Sequence, residues 1–253
     1  MGFLRGFIAP FRGAVYVSRE RLWHFVLVPI LLNVALAAGS AFLAGRYWKS
    51  ELADRAVGSP ALGTLLLVVT TALGTVILFL ILQPLLGAVF NDILSERVER
   101  RVTGLIPKVP LLSSVGASLA HGILKLLLYG LAFVAALGAG AVTAGIGSLV
   151  GLALGALFLA YDGFDFPLSR RGATFGAKWR YLALHPAQTI GYGLGATIFY
   201  LIPLALIVAP SFTAAGATLV FLETQNRATR RENEKRKRKV EPDEASPLRD
   251  GQG

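Results

Sequence analysis

The stretch AQTIGYGLGATIFYLIPLALIVAPSFTAAGATLVFL, Ala187–Leu222, runs for 36 residues without a charged side chain. As one straight helix it would extend about 54 Å at ~1.5 Å per residue, against a hydrocarbon core about 30 Å thick. As two full crossings it leaves roughly 17 residues for each, with nothing spare for a turn. Pro203 removes a backbone donor near the middle, and Pro210 does so again two turns later. Glu223 follows, and then the cluster Arg227, Arg230, Arg231, Lys235, Arg236, Lys237, Arg238, Lys239. A tail with that charge stays on the cytoplasmic side. The least strained solution is a hairpin of two short helices that enters from the cytoplasm, turns near Leu201–Pro203 and returns. Polar backbone at such a depth is tolerated when it is buried in protein or lines a wet cavity. The hairpin is therefore expected to help line a polar path.

Composition agrees with a membrane setting. The chain is 54% hydrophobic and 16% charged with positive mean hydropathy, which separates it from soluble domains. It has no cysteine, so disulfides and thiolate metal sites are excluded. The net charge of +10 is uneven, since residues 224–253 hold nine of the 25 Lys and Arg. Positive charge that flanks apolar spans serves topology and attraction to anionic lipid, so nucleic acid is not an expected partner.

Upstream of the hairpin, residues 1–21 read as an amphipathic helix, with Phe3, Leu4, Phe7, Ile8, Phe11 and Val15 among Arg5, Arg12 and Arg19. That pattern suits a helix in the headgroup region. Small residues around Ala37–Ala41 offer a signal-peptide alternative, but the apolar run from Leu22 exceeds 20 residues, too long for a signal core. Four crossings are expected at about 22–44, 61–86, 115–137 and 141–161. Pro29 and Asn33 share one face of the first, a mild kink plus an amide for helix contact or a substrate contact. The second continues through Asn91–Thr103 as a cytoplasmic helix with Leu94, Val98 and Val102 at helical spacing, ended by Gly104 and Pro107. Gly147, Gly151 and Gly155, four apart, form a groove for close helix approach. His121 and Lys125 share a face of the third crossing, and Lys125 is the only Lys or Arg within a predicted span. It reads as a snorkelling lysine or as an anion contact. Asp162–Pro186 is a further cytoplasmic segment with a short basic helix at about 175–184, Lys178 and Trp179 within it, resting on the surface.

Lys and Arg number four before the first span, three in 46–60, four in 91–112, none in 138–140, four in 162–186 and nine in the tail. The alternation puts both termini in the cytoplasm. The expected fold is thus all-α: a multi-span helical membrane protein with four crossings, a partly penetrating C-terminal hairpin over 187–222, and amphipathic or cytoplasmic helical extensions. Residues 1–223 form the integral membrane unit, and 224–253 a basic then acidic disordered tail. No catalytic pattern is present: His24, His121 and His185 are scattered, with no HExxH, Walker loop or nucleophile elbow. The chain is not expected to be an enzyme or to carry a metal or cofactor, and any transport is passive or driven by an ion gradient.

Four segments carry a resemblance. LWHFVLVPILLN (Leu22–Asn33), LQPLLGAVFNDILSERVERRVTG (Leu82–Gly104, with Pro84, Glu96 and Thr103–Gly104), YDGFDFPLSRRGATFGAKWR (Tyr161–Arg180, with Asp165-Phe166-Pro167) and IPLALIVAPSFTAAGATLVFLE (Ile202–Glu223) resemble, in order and spacing, CysZ-like sulfate permeases and the related etoposide-induced protein family. The resemblance implies a bacterial inner-membrane oligomer that brings sulfate into the cytoplasm for cysteine biosynthesis, with hairpins that only partly enter the bilayer. Pro29, Asn33, Pro84, Asp165 and Pro167 are then structural motif residues. Sulfate-binding members carry Gly-apolar-Arg just before the first span, where this chain has Arg21, Leu22, Trp23 and His24. An inorganic anion such as sulfate is the expected substrate, with Arg19, Arg21 and His24 at the cytoplasmic mouth and His121 and Lys125 as further contacts. The reading from another class is a scaffold without substrate that organises envelope proteins and lipids through the N-terminal helix, the glycine-spaced span and the basic tail.

Overall fold

The computed structural model describes residues 2–47, 60–104, 127–132, 134–135, 138, 146–203, 205 and 207–240, and the elements among them are all helical. In order they are α1 Gly2–Arg19, α2 His24–Tyr47, α3 Pro60–Thr103, α4 Ile146–Ser169, α5 Phe175–Leu184, α6 Pro186–Leu201 and α7 Ala209–Val240. Residues 127–132 are also helical. The described part of the third predicted span is limited to these and a few neighbouring positions.

Two stretches among the described residues are long and apolar enough to cross a membrane, His24–Leu43 in α2 and Leu149–Ser169 in α4. Helix α2 leaves Leu27, Leu31, Val34, Phe42 and Leu43 exposed along its length, which suits a lipid solvent and no aqueous one. Helix α3 is one unbroken element of 44 residues, uncharged up to Phe90 and charged from Asp92 onward. It ends where Gly104 takes φ +72 and returns its amide to the Arg100 carbonyl at 2.9 Å.

The boundary expected after Tyr161 is not a helix end: α4 continues through Asp162 and Asp165 to Ser169, with Pro167 inside it. Both acids are satisfied on the spot. The Tyr129 hydroxyl donates to Asp162 Oδ1 at 2.6 Å, and Lys178 Nζ donates to Asp165 Oδ1. The basic helix expected on the surface is α5, capped by the Thr174 hydroxyl, yet Lys178 is buried in it. The basic stretch expected to be disordered is helical as far as Val240, because α7 continues from its packed half into residues with good helix propensity, supported by the Glu232–Arg236 pair at 2.7 Å. Residues 241–253 lie outside the described set.

Helix α1 is clasped by α6 and α7 through small residues. Gly6, Ala9, Pro10, Gly13 and Val17 form its buried face, while Phe3, Leu4, Ile8 and Val15 point outward. A Cβ on Gly191 would sit 2.2 Å from the Phe3 carbonyl oxygen, and one on Gly195 2.0 Å from that of Phe7. Across the other side, a Cβ on Gly216 would meet the Ala9 carbonyl at 2.2 Å. Helix α1 therefore runs parallel to α6 and antiparallel to α7. The expected groove of the fourth span plays no such part at Gly155, where nothing comes within 4 Å. One apolar cluster joins α4 to α7 around Phe164, Tyr192 and Phe221; a second joins α1, α2, α3, α6 and α7 around Val17, Leu22, Val26, Leu94, Val98 and Phe212.

Candidate anion site at the α1–α2 junction

Helix α1 stops in a turn built by its own sequence. The Leu22 amide reaches back to the Val17 carbonyl at 2.9 Å and the Arg21 amide to that of Ser18 at 3.3 Å, with Arg21 at φ 55. This is the left-handed helix ending that glycine favours, adopted here by an arginine because Leu22 is drawn into the core beside Val17 and Val26. The same turn leaves Arg19, Arg21, Trp23 and His24 on the outside. Helix α2 starts at once, and the amides of Trp23 and His24 donate to no backbone carbonyl among the described residues. Free amides at a helix start favour negative charge. Neither Arg19 nor Arg21 has a carboxylate partner among the described residues.

Helix α3 runs antiparallel to α2 and presents Arg97 and Arg101, one turn apart, to the two ends of this loop. Arg101 Nη1 donates to the Glu20 carbonyl at 2.9 Å and pairs with the Glu20 carboxylate. The Arg97 guanidinium lies 5.9 Å from the centre of the Phe25 ring, and that ring is 4.1 Å from His24. Trp23 packs edge-on against Phe212 of α7 at 5.6 Å, which ties the loop to the second apolar cluster. Arg97 escaped the sequence reading because its proximity depends on how α2 and α3 pair; the spacing of Leu94 and Val98, which fixes that pairing face, was visible.

The other candidates fall elsewhere. His121 and Lys125 lie outside the described residues. Pro29 and Asn33 are in α2, Pro84 in α3, and Asp165 and Pro167 in α4. Pro203 lies in the connection between α6 and α7, whereas Pro210 occupies the first turn of α7, where a missing amide hydrogen costs nothing.

A second polar cluster was not anticipated. Asn91, Ser95 and Glu99, spaced four apart, are all buried on one face of α3. Asn91 accepts from the Ser211 hydroxyl at 3.0 Å, and Ser95 shares a 2.6 Å hydrogen bond with Thr218. Glu99 takes Arg170 Nε at 3.2 Å and Arg171 Nη2 at 2.6 Å. Arg170 also holds Asp92 Oδ1 at 2.6 Å and donates to Ser95. Two acids and two guanidinium groups balance, so this cluster locks α3, α4 and α7 together and has no net charge left for a ligand. At the α1–α2 junction, by contrast, Arg19 and Arg21 have no carboxylate partner among the described residues.

The model of the family described as sulfate transporter CysZ/etoposide-induced protein 2.4 matches residues 9–210. The chain belongs to this family. The match runs from the middle of α1 to the start of α7 and so includes the junction and, of the second polar cluster, the residues of α3 with Arg170 and Arg171, while Ser211 and Thr218 lie beyond it. By its description the CysZ/etoposide-induced protein 2.4 family is one of membrane transporters, not of enzymes, and an all-helical fold with two long apolar helices accords with it.

Proposed function

We propose that this protein is a bacterial inner-membrane permease for sulfate or a similar inorganic oxyanion, passive or coupled to an ion gradient. One observation carries the reading: Arg19, Arg21 and His24 are exposed around a single turn, and among the described residues neither arginine is neutralised by a carboxylate. Planar guanidinium groups suit a tetrahedral oxyanion, and a positive mouth disfavours cations. The layout that goes with it has four crossings, a hairpin over 187–222 turning near Pro203, both termini in the cytoplasm, and a homo-oligomer whose sulfate supplies cysteine biosynthesis. His121 and Lys125 are further anion contacts in that layout, and the basic end of α7 meets anionic lipid.

The test is sulfate uptake into liposomes that hold the purified protein, with Arg21→Ala beside it. Uptake well above empty liposomes, and reduced by Arg21→Ala, is expected; uptake equal to empty liposomes removes the permease reading. The scaffold reading draws on the exposed basic half of α7. Deletion of residues 224–253 separates the two, since a permease retains uptake without them and a scaffold loses its activity.

A further inference from the structure

Arg97 and Arg101 lie one turn apart on α3 and flank the loop that carries Arg21 and His24, but their charges are spent differently. Arg101 is committed to Glu20, through both its carbonyl and its carboxylate. Arg100, next in sequence, is committed to Glu96 at 3.0 Å. Arg97 is exposed, bonds to no carboxylate among the described residues, and lies 5.9 Å from the centre of the Phe25 ring, which packs against the second apolar cluster and is also 4.1 Å from the His24 ring. A guanidinium held near an aromatic face by cation–π attraction spends none of its N–H groups on that contact and keeps them available for an anion.

Resting on the permease reading above, we infer that Arg97 is a ligand-binding residue of the same mouth, reaching from α3 to take oxygens of an oxyanion held from the loop by Arg21 and His24. The turn offers Arg21 and, from the last residue of α1, Arg19 as guanidinium groups, and a doubly charged tetrahedral anion has oxygens for a further fork from the opposite helix. The anion then bridges α2 and α3.

The experiment is equilibrium binding of radiolabelled sulfate to the purified full-length protein at low ionic strength, run beside liposome uptake, for wild type, Arg97→Gln, Arg97→Lys and Arg100→Gln. Loss of one charge-assisted contact weakens binding by about tenfold in Arg97→Gln. Arg97→Lys, which keeps the charge without the fork, weakens it less. Arg100→Gln removes the same net charge and stays within about twofold, as expected for an exposed ion pair away from the site. Arg97→Gln binding as tightly as Arg100→Gln overturns the inference and leaves the permease reading standing. Equal weakening in Arg97→Lys and Arg97→Gln with a lowered melting temperature also overturns it, as a structural effect. Wild-type protein that binds sulfate without carrying it overturns the permease reading alone, with the Arg97 comparison still decided by binding. Wild-type protein that binds no sulfate overturns both.

Discussion

Arg170 is held against Glu99, Nε to Oε2 at 3.2 Å, and the Glu99 side chain beneath it is 1% exposed. Arg171 takes the other carboxylate oxygen at 2.6 Å and lays its guanidinium 4.5 Å from the Phe221 ring centre. The ends of α3 and α4 and the middle of α7 meet at this acid. Desolvation makes such a cluster a modest source of net stability, but removal of one partner strands charge in a dry place. Glu99→Ala is expected to cost about 3–5 kcal/mol, because both guanidinium groups lose their buried counter-ion. Arg171→Met is expected to cost less, since Arg171 is partly exposed and Glu99 keeps Arg170. Thermal unfolding in detergent, followed by near-ultraviolet circular dichroism, checks the order; equal melting temperatures for Glu99→Ala and wild type would sink it.

The seat of α1 makes a sharper demand at two glycines. A Cβ at Gly195 would fall 2.0 Å from the Phe7 carbonyl oxygen, and one at Gly13 2.0 Å from that of Phe212. Backbone cannot rotate away, so α1 must shift out of its cleft. Gly195→Ala and Gly13→Ala are each expected to destabilise by about 1–3 kcal/mol despite the better helix propensity of alanine. Gly155→Ala, with open space around it, is expected to be neutral or slightly stabilising. The fraction of protein that stays monodisperse after a heat step reports all three.

These glycines also mark the limit of what one sequence makes legible. Gly147, Gly151 and Gly155 and the pair Gly191 and Gly195 share the same spacing, and nothing local distinguishes the pair that α1 packs into. What local chemistry does decide was readable: the stop of α3 at Gly104, the extent of α5, and the exposure of Arg19, Arg21 and His24 before an apolar run. Long-range pairing was not. Asn91, Ser95 and Glu99 announce a polar face by their period, but their partners Ser211, Thr218 and Arg170 come from distant helices. Lys178 has the look of a surface lysine until α5 folds back on the end of α4. Arg97 comes beside the α1–α2 loop only through the antiparallel pairing of α2 with α3.

Lys178 and Asp165 form a closed pair. Lys178 is 4% exposed and donates to Asp165 Oδ1 at 2.5 Å and to the Ser169 hydroxyl at 2.7 Å. Asp165 is more accessible, with 26% of its side chain exposed, so the two single losses are unequal. Asp165→Asn leaves a buried ammonium short of its counter-ion and is expected to cost about 3 kcal/mol. Lys178→Met, which leaves an acid that water can reach, costs less. The double variant Lys178→Met/Asp165→Asn is expected to be more stable than Asp165→Asn, since no buried charge remains. A double-mutant cycle on melting temperatures measures the coupling, and simple additivity would argue against the pair.

Asp92 gives the protein a pH dependence of unexpected sign. Burial, against the opposing attraction of Arg170 and with help from nearby Glu96 and Asp165, holds its carboxyl above the usual carboxylate range. A raised value means that the folded chain binds this proton more tightly than the unfolded one. The group's contribution to stability is then complete below the unfolded value of about 3.9 and is lost as pH rises through the folded one. Asp92→Asn removes the titration while keeping a polar group opposite Arg170. The melting temperature of wild type relative to Asp92→Asn should therefore fall between pH 4 and pH 7, by a small amount because half of the Asp92 side chain is solvated. Wild type gaining on Asp92→Asn over the same interval would mean that the 2.6 Å bond to Arg170 outweighs burial.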